Sequence, residues 1–180
     1  MADVRLVAGV ALLAVTAVAC GAGSSARPAE ADTALAAAAT RAGDPLPDAE
    51  LARLGEPGTL RMSSLRGKPS VVNFWATWCP FCVDEMPEFE RVHQEVAQDV
   101  RFVGIDLEDR DDLALKLAEE TGVTYELVTD PDGTYFRAIR GRGMPTTLFV
   151  DADGSIIHHQ VGPMTGEQLR AFIDELLLGG

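Results

Sequence analysis

Cysteine is scarce in this chain of 180 residues: only Cys20, Cys79 and Cys82 occur. Three thiols cannot build a disulfide-stapled scaffold or a four-cysteine zinc site. Basic side chains are few as well, 15 Lys and Arg against 28 Asp and Glu, for a net charge of −13. Nucleic-acid binding needs a basic face, so this balance argues against that class. Histidine is limited to His93 and the adjacent His158 and His159. Neighbours on a strand point to opposite faces, so at most one of the last two reaches any given site. His93 lies far beyond Cys82 on an expected helix. Ligand count thus argues against zinc, and the three histidines are expected to be solvated. No internal repeat is evident. The apolar fraction, 47%, is nonetheless enough for a real core.

The longest apolar run is at the start, LVAGVALLAVTA and two further residues, over 6–19. That is the length of a secretory h-region and too short for a comfortable membrane span. AVAC followed by GAGSS resembles a bacterial lipoprotein signal, with Cys20 as the lipidated first residue of the mature chain. Ala17 departs from that pattern, which usually has Leu there. An ordinary cleaved signal and an uncleaved short anchor are the alternatives. All three place the remainder of the chain outside the cytoplasm. The expected division is a signal over 1–19, a tether over 20–43 and one folded domain over 44–180. The tether, GAGSSARPAEADTALAAAATRAG, has Leu35 as its one large apolar residue and cannot bury enough surface to fold.

Within the domain, DAELARL and TLRM flank GEPG and read as two short strands around a turn. SVVNFWA is a buried strand, rich in Val and aromatics. Pro80 suits the first turn of a helix, where no N–H is needed. This helix runs through Val92 and Val96 with Pro87 as an internal kink. VRFVGIDLE is a second buried strand. DDLALKLAEETG is a helix capped by Asp111 or Asp112, with Leu113 and Leu117 on one face and Gly122 at its end. TYELVTD is a strand, and a short helix comes next over 133–140. GMPTTLFVD and SIIHHQVG form a hairpin around DADG. Thr165 and Gln168 make a capping box for a last helix, with Leu169, Phe172, Ile173 and Leu176 at helical spacing. The order β-β-β-α-β-α-β-α-β-β-α gives an α/β fold with a mixed central sheet flanked by helices.

Cys79 and Cys82 could be a metal clamp, a structural staple or a redox pair. The ligand shortage weakens the first. A ring this short removes little chain entropy, which weakens the second. Placement favours the third. Cys79 stands where a strand ends and a helix begins, where free N–H groups and the helix dipole favour a thiolate. Cys82, one turn in, can resolve a mixed disulfide. Trp78 would shield the pair, or serve as a core aromatic at the strand end. Glu85 continues the stripe of Cys79 and Cys82. It is either a proton acceptor for the inner thiol or a solvated acid beside Asp84, Glu88 and Glu90.

WCPFC after VVNFWAT, with GMPTTLFVDADG further on, resembles the thioredoxin superfamily and within it the TlpA/ResA-like membrane-tethered thiol–disulfide oxidoreductases. The likeness covers 44–180. It implies a thioredoxin-like fold with an N-terminal β-hairpin, and an inserted helix and strand over 106–130. It also implies that Pro145 is a cis-proline facing the cysteines, preceded by Met144. That loop and the Trp78, Pro80 and Phe81 surface would receive an extended substrate. Thioredoxin carries an acid where this chain has Asn73, and Glu85 matches the helix acid that replaces it.

The implied activity is reduction of protein disulfides in the cell envelope, for example in cytochrome c maturation. Electrons would come from a membrane thiol–disulfide donor, and no cofactor or metal is required. A disulfide-forming oxidase is the alternative, since the Pro80–Phe81 dipeptide tunes the potential without revealing it. A tethered binding module or metal carrier is the non-enzymatic rival. Peroxide-reducing relatives carry Pro and Thr where this chain has Val72 and Ala76, which argues against a peroxidase.

Overall fold

In a computed structural model the structure describes residues 42–179. The expected signal segment, Cys20 and nearly all of the expected tether lie outside the described residues. Chain order is β1 (Asp44–Pro45), β2 (Glu50–Arg53), β3 (Thr59–Arg61), a 3-10 turn (Met62–Leu65), β4 (Ser70–Trp75), α1 (Pro80–Val96) and β5 (Arg101–Leu107). Then come α2 (Asp111–Thr121), β6 (Glu126–Asp130), α3 (Thr134–Ala138), β7 (Thr146–Val150), β8 (Ser155–Val161) and α4 (Gly166–Phe172), which ends in a π-helical turn (Ile173–Leu177).

One eight-stranded sheet runs β1-β8-β7-β4-β5-β6-β2-β3. β4, β5 and β6 are parallel, and every other pairing is antiparallel. β4 lies centrally and is buried on both faces, as its continuous apolar run requires. Alternate residues of β4 divide the core. Val72 and Phe74 join Val103, Ile105, Val128 and Leu148 beneath Tyr135 and Ile139 of the α3 segment. Val71 faces the other way, with Phe102 and Phe149, under Phe89, Val92 and Val96 of α1 and Leu169 of α4. Trp75, on that second face, packs with Cys79, Cys82, Met86 and Ala114.

The expected N-terminal hairpin is present and extends the sheet through β2, beside β6. The helix and strand over 106–130 supply α2 and β6. Pro80 opens α1, Pro87 lies within it, and the Thr165–Gln168 capping box starts α4.

Four details differ from the sequence reading. β1 was not anticipated: it is two residues long, and just before it the Gly43 N–H donates to Ile156 O. Arg110, not Asp111 or Asp112, is the N-cap of α2; the two aspartates occupy the first turn and favour the positive end of the helix dipole. The buried stripe of α2 is Ala114 and Ala118, while Leu113 is exposed. Small residues let this helix sit close to Trp75 and Leu54. The histidines are not simply solvated. His93 packs against the rings of Phe102 and Tyr125, and His158 stacks on Phe172. Burial lowers the His93 and His159 pKa values, favouring neutral imidazoles.

Gly104 on β5 is closely packed beneath Trp75. It pairs with Asn73, and a Cβ there would stand 2.7 Å from Leu127 Cδ2, 2.9 Å from Trp75 Nε1 and 3.0 Å from Tyr125 Cε2. Trp75 and Tyr125 are buried and have little room to withdraw. Gly104→Ala is therefore expected to lose about 1–3 kcal/mol. Urea unfolding that shows no loss would refute this close approach.

Candidate active site

The end of β4 delivers Ala76, Thr77 and Trp78 to the start of α1. This loop is pinned from α2's side: Asp109 accepts from Thr77 N at 2.6 Å and from Thr77 Oγ1 at 2.7 Å. Cys79 is the N-cap of α1, in extended conformation, and Pro80 fills the next position. Cys79 and Cys82 form a disulfide with a Cα–Cα distance of 5.3 Å. Cys79 Sγ accepts from Cys82 N at 3.2 Å. A sulfur placed there receives the free N–H groups that would otherwise stabilise an N-cap oxygen. Cys79 retains 5% exposure, whereas Cys82 has none. The outer sulfur is therefore the one within reach of another molecule.

Trp78 is 53% exposed and Phe81 61% exposed. The core aromatic of this strand end is Trp75, so Trp78 does not fill that role. With Pro80, also exposed, these two rings make an apolar rim around a nearly buried disulfide. The Met144–Pro145 bond is cis. Met144 packs on the cluster that holds both cysteines, and Pro145 O accepts from Gly162 N.

Glu85 is only 3% exposed, which rules out the solvated alternative. Its Oε1 accepts from Asn73 Nδ2 at 3.0 Å, and its Oε2 accepts from Met164 N at 3.0 Å. Burial pushes its pKa up to about 7, against the lowering effect of the Met164 and Asn73 hydrogen bonds. Spacing by three residues on α1 puts Glu85 on the Cys82 side of the helix. A groove of about 610 Å³ leads to it between Phe81, Glu88, Pro163 and Gln168.

Several members of this site were not legible in advance. Thr147, opposite Asn73 in register, accepts a second hydrogen bond from Asn73 Nδ2 at 3.1 Å. Met164 contributes a backbone group, which leaves no trace in residue type. Asp106, at the end of β5 opposite Trp75, is a second buried carboxyl. Burial, with the charges of Asp109 and Asp111, pushes it up to about 8. Among the described residues, no three His, Cys, Asp or Glu converge as metal ligands.

A redoxin family model matches residues 41–175. The chain belongs to the redoxin family. Within it, the chain is similar to thiol:disulfide interchange protein DsbE of Pseudomonas aeruginosa, 36% identical over 75% of this chain and 77% of the relative. Thiol-disulfide oxidoreductase ResA of Oceanobacillus iheyensis is 29% identical over 76% of this chain and 73% of its own. A secreted Mycobacterium tuberculosis disulfide oxidoreductase superposes with a TM-score of 0.63 and 25% identity, covering 71% of this chain and 96% of that one. The fold is thioredoxin-like, and this redoxin is a thiol–disulfide oxidoreductase with its cysteine pair at 79 and 82.

The raised Glu85 pKa has a definite consequence for stability. The folded state holds a proton that the unfolded chain, titrating near 4.5, has already lost. The Glu85 contribution to stability is therefore greatest below the unfolded value and falls as pH rises toward about 7, by roughly 3 kcal/mol. Asp106 adds a slope of the same sign. Glu85→Gln is expected to flatten the Glu85 part alone, measured as the difference between the two proteins' urea midpoints across this range. Parallel pH dependences would show that Glu85 ionises normally.

Proposed function

We propose that this redoxin reduces protein disulfides outside the cytoplasm through Cys79 and Cys82. The observation that carries thiol–disulfide exchange is the Cys79 sulfur at the α1 N-cap, accepting the Cys82 N–H and ringed by exposed Trp78 and Phe81; the reductive direction is inferred from the likeness to ResA and DsbE. In the reduced enzyme that position favours the thiolate. The Cys79 thiolate attacks one sulfur of a substrate disulfide; a mixed disulfide forms and a substrate thiolate leaves. Glu85 takes the proton of the Cys82 thiol. The Cys82 thiolate then attacks Cys79 Sγ, the enzyme disulfide closes and the second substrate thiolate leaves. Two electrons pass from the pair to the substrate, and no cofactor takes part. A base with a pKa near neutrality is suited to this transfer and to its reversal when the enzyme is reduced again.

Trp78, Pro80, Phe81, Met144 and Pro145 form the substrate surface in this reading. An extended polypeptide on the rim would reach Cys79 while Cys82 stays buried beneath it. The resemblance to ResA and DsbE supports protein thiol substrates and redox partners in the envelope; within that class cytochrome c maturation is the example proposed, with a membrane thiol–disulfide protein as the donor. The secreted mycobacterial protein supports an extracytoplasmic location. Attachment through a lipid on Cys20 would hold the domain at the membrane by the 20–43 tether.

The decisive experiment is the reduction potential of the Cys79–Cys82 couple in defined thiol buffers. The expected value lies near or below about −250 mV, in the thioredoxin range. A value of about −120 to −180 mV would reverse the direction and make the protein a disulfide-forming oxidase. In parallel, Cys82→Ser is expected to accumulate mixed disulfides that Cys79→Ser does not form. An active Cys79→Ser protein that binds metal tightly would replace the enzyme with a metal carrier.

A further inference from the structure

We propose that Asp106 and Asp109 act as a carboxyl–carboxylate pair that positions the cysteine loop from the α2 side: Asp109 grips Thr77 with both oxygens, and Asp106, the neutral member, holds Asp109. The proposal rests on Cys79 as the attacking sulfur and on neither direction of electron flow.

The grip is the geometric starting point. Thr77 stands two residues before Cys79, in the loop that turns β4 into α1. Its N–H donates to Asp109 Oδ2 at 2.6 Å, and its hydroxyl donates to Asp109 Oδ1 at 2.7 Å. One side chain thus fixes both the backbone and the side chain of Thr77. Asp109 belongs to the turn between β5 and α2, 32 residues along the chain. The Arg110 N–H also points at Oδ1, at 3.3 Å. Every one of these contacts is a donor, so Asp109 behaves as the ionised, acceptor-only form.

Asp106 lies behind this contact. It is 1% exposed and pairs with Trp75 across β4 and β5, on the face where Trp75 packs with both cysteines. A side-chain hydrogen bond joins it to Asp109. Two carboxyls share a hydrogen bond only when one of them carries a proton. Asp109 is committed to Thr77 as an acceptor, so the proton belongs to Asp106. Two further observations agree. Asp106 Oδ1 is buried without a hydrogen-bond partner among the described residues, which a neutral acid tolerates far better than a carboxylate. Burial, with the charges of Asp109 and Asp111, pushes the Asp106 pKa up to about 8.

The surrounding groups do not compensate a second charge. Arg110 forks onto Asp112 at the exposed start of α2. Asp111 adds negative charge, and Glu108 is exposed. From β6 the facing residue is Thr129; Asp130 lies on the opposite face and accepts from the Tyr135 and Phe136 N–H groups. From β4 and α1 the titratable groups are Cys79 and Cys82 of the reduced protein. Loss of the Asp106 proton therefore sets two negative charges side by side with no donor between them. Asp109 is the less buried member and carries Thr77, so the repulsion passes to the loop before Cys79.

The first test uses the full-length, isotope-labelled protein with the Cys79–Cys82 disulfide intact, so that no thiol titrates. The Asp106 carboxyl carbon and the Thr77 amide are followed together by NMR across the alkaline range. They are expected to share a midpoint near 8, and the Thr77 change should vanish in Asp106→Asn. A Thr77 signal that ignores the Asp106 titration, or a change that survives this substitution, overturns the proposal. The second test is the rate at which the reduced protein exchanges with hydroxyethyl disulfide, a small neutral probe. Asp106→Asn presents an N–H to Asp109 at every pH. Its rate is expected to match the wild type well below that midpoint and to exceed it by about tenfold well above, less than a full ångström of misplacement would cost. A ratio that stays constant with pH overturns the proposal. Asp109→Asn can still meet both Thr77 groups, whereas Asp109→Ala meets neither. Folded Asp109→Ala is expected to exchange about tenfold more slowly than Asp109→Asn, and equal rates overturn the grip. None of these readouts uses a protein partner, so the reductase reading stands or falls separately, on the reduction potential.

Discussion

A carboxyl group removed from water and held by two N–H donors ties this site together. Glu85 belongs to α1, Asn73 to the central strand, and Met164 to the loop that enters α4. The helix carrying the cysteines is thereby fastened to the sheet beneath and to the neighbouring helix at once. Losing either donor would leave a buried acceptor unpaired, at a cost of about 1–3 kcal/mol. Gly104 beneath Trp75 and Ala114 beside it allow the packing that keeps this region closed. The result is an inner thiol with no exposure and an outer one just within reach.

The net charge of −13 bears on how that region titrates. Exposed acids are screened by solvent and salt, and they set solubility more than chemistry. Glu85 and Asp106 are different. Both are buried near the end of the central strands, and both retain protons well into the neutral range. A buried acid that stays protonated presents no charge to the thiol pair, and one that ionises near neutrality presents a charge that pH controls. Two members of the same residue class thus behave differently from the surface because of desolvation rather than type.

Much of the fold was legible because local signals agreed with tertiary demands. The Val-rich run before Pro80, the Thr165–Gln168 box and the DADG turn each name their element by a short-range rule. The cysteine pair was legible through its spacing and placement, and Pro145 only through the family resemblance that the two motifs carry. The failures share a cause. β1 exists only because β8 offers it an edge. Arg110 became a cap because the chain enters α2 one residue earlier than side-chain preference suggested. Leu113 is turned to solvent because two alanines fit the contact with Trp75 better. Glu85 could be placed on the cysteine stripe by counting, but its burial depends on Met164, far away in sequence and represented only by a backbone N–H.

The same arrangement carries two opposed influences on the direction of electron flow. The N-cap position of Cys79 stabilises a thiolate, hence the reduced form, and so favours oxidation of a partner. An ionised Glu85 acts the other way. Neighbours three residues apart on a helix lie about 5–6 Å apart at Cβ, and a carboxylate at that range disfavours a second negative charge on Cys82. Where burial weakens screening, this repulsion raises the energy of the thiolate forms of the reduced pair whenever Glu85 is charged, and leaves the neutral thiols untouched. The balance between these two terms depends on the protonation state of one carboxyl, and that state depends on the two hydrogen bonds from Asn73 and Met164. Direction is therefore a property of the support around the cysteines as much as of the Pro80–Phe81 residues between them.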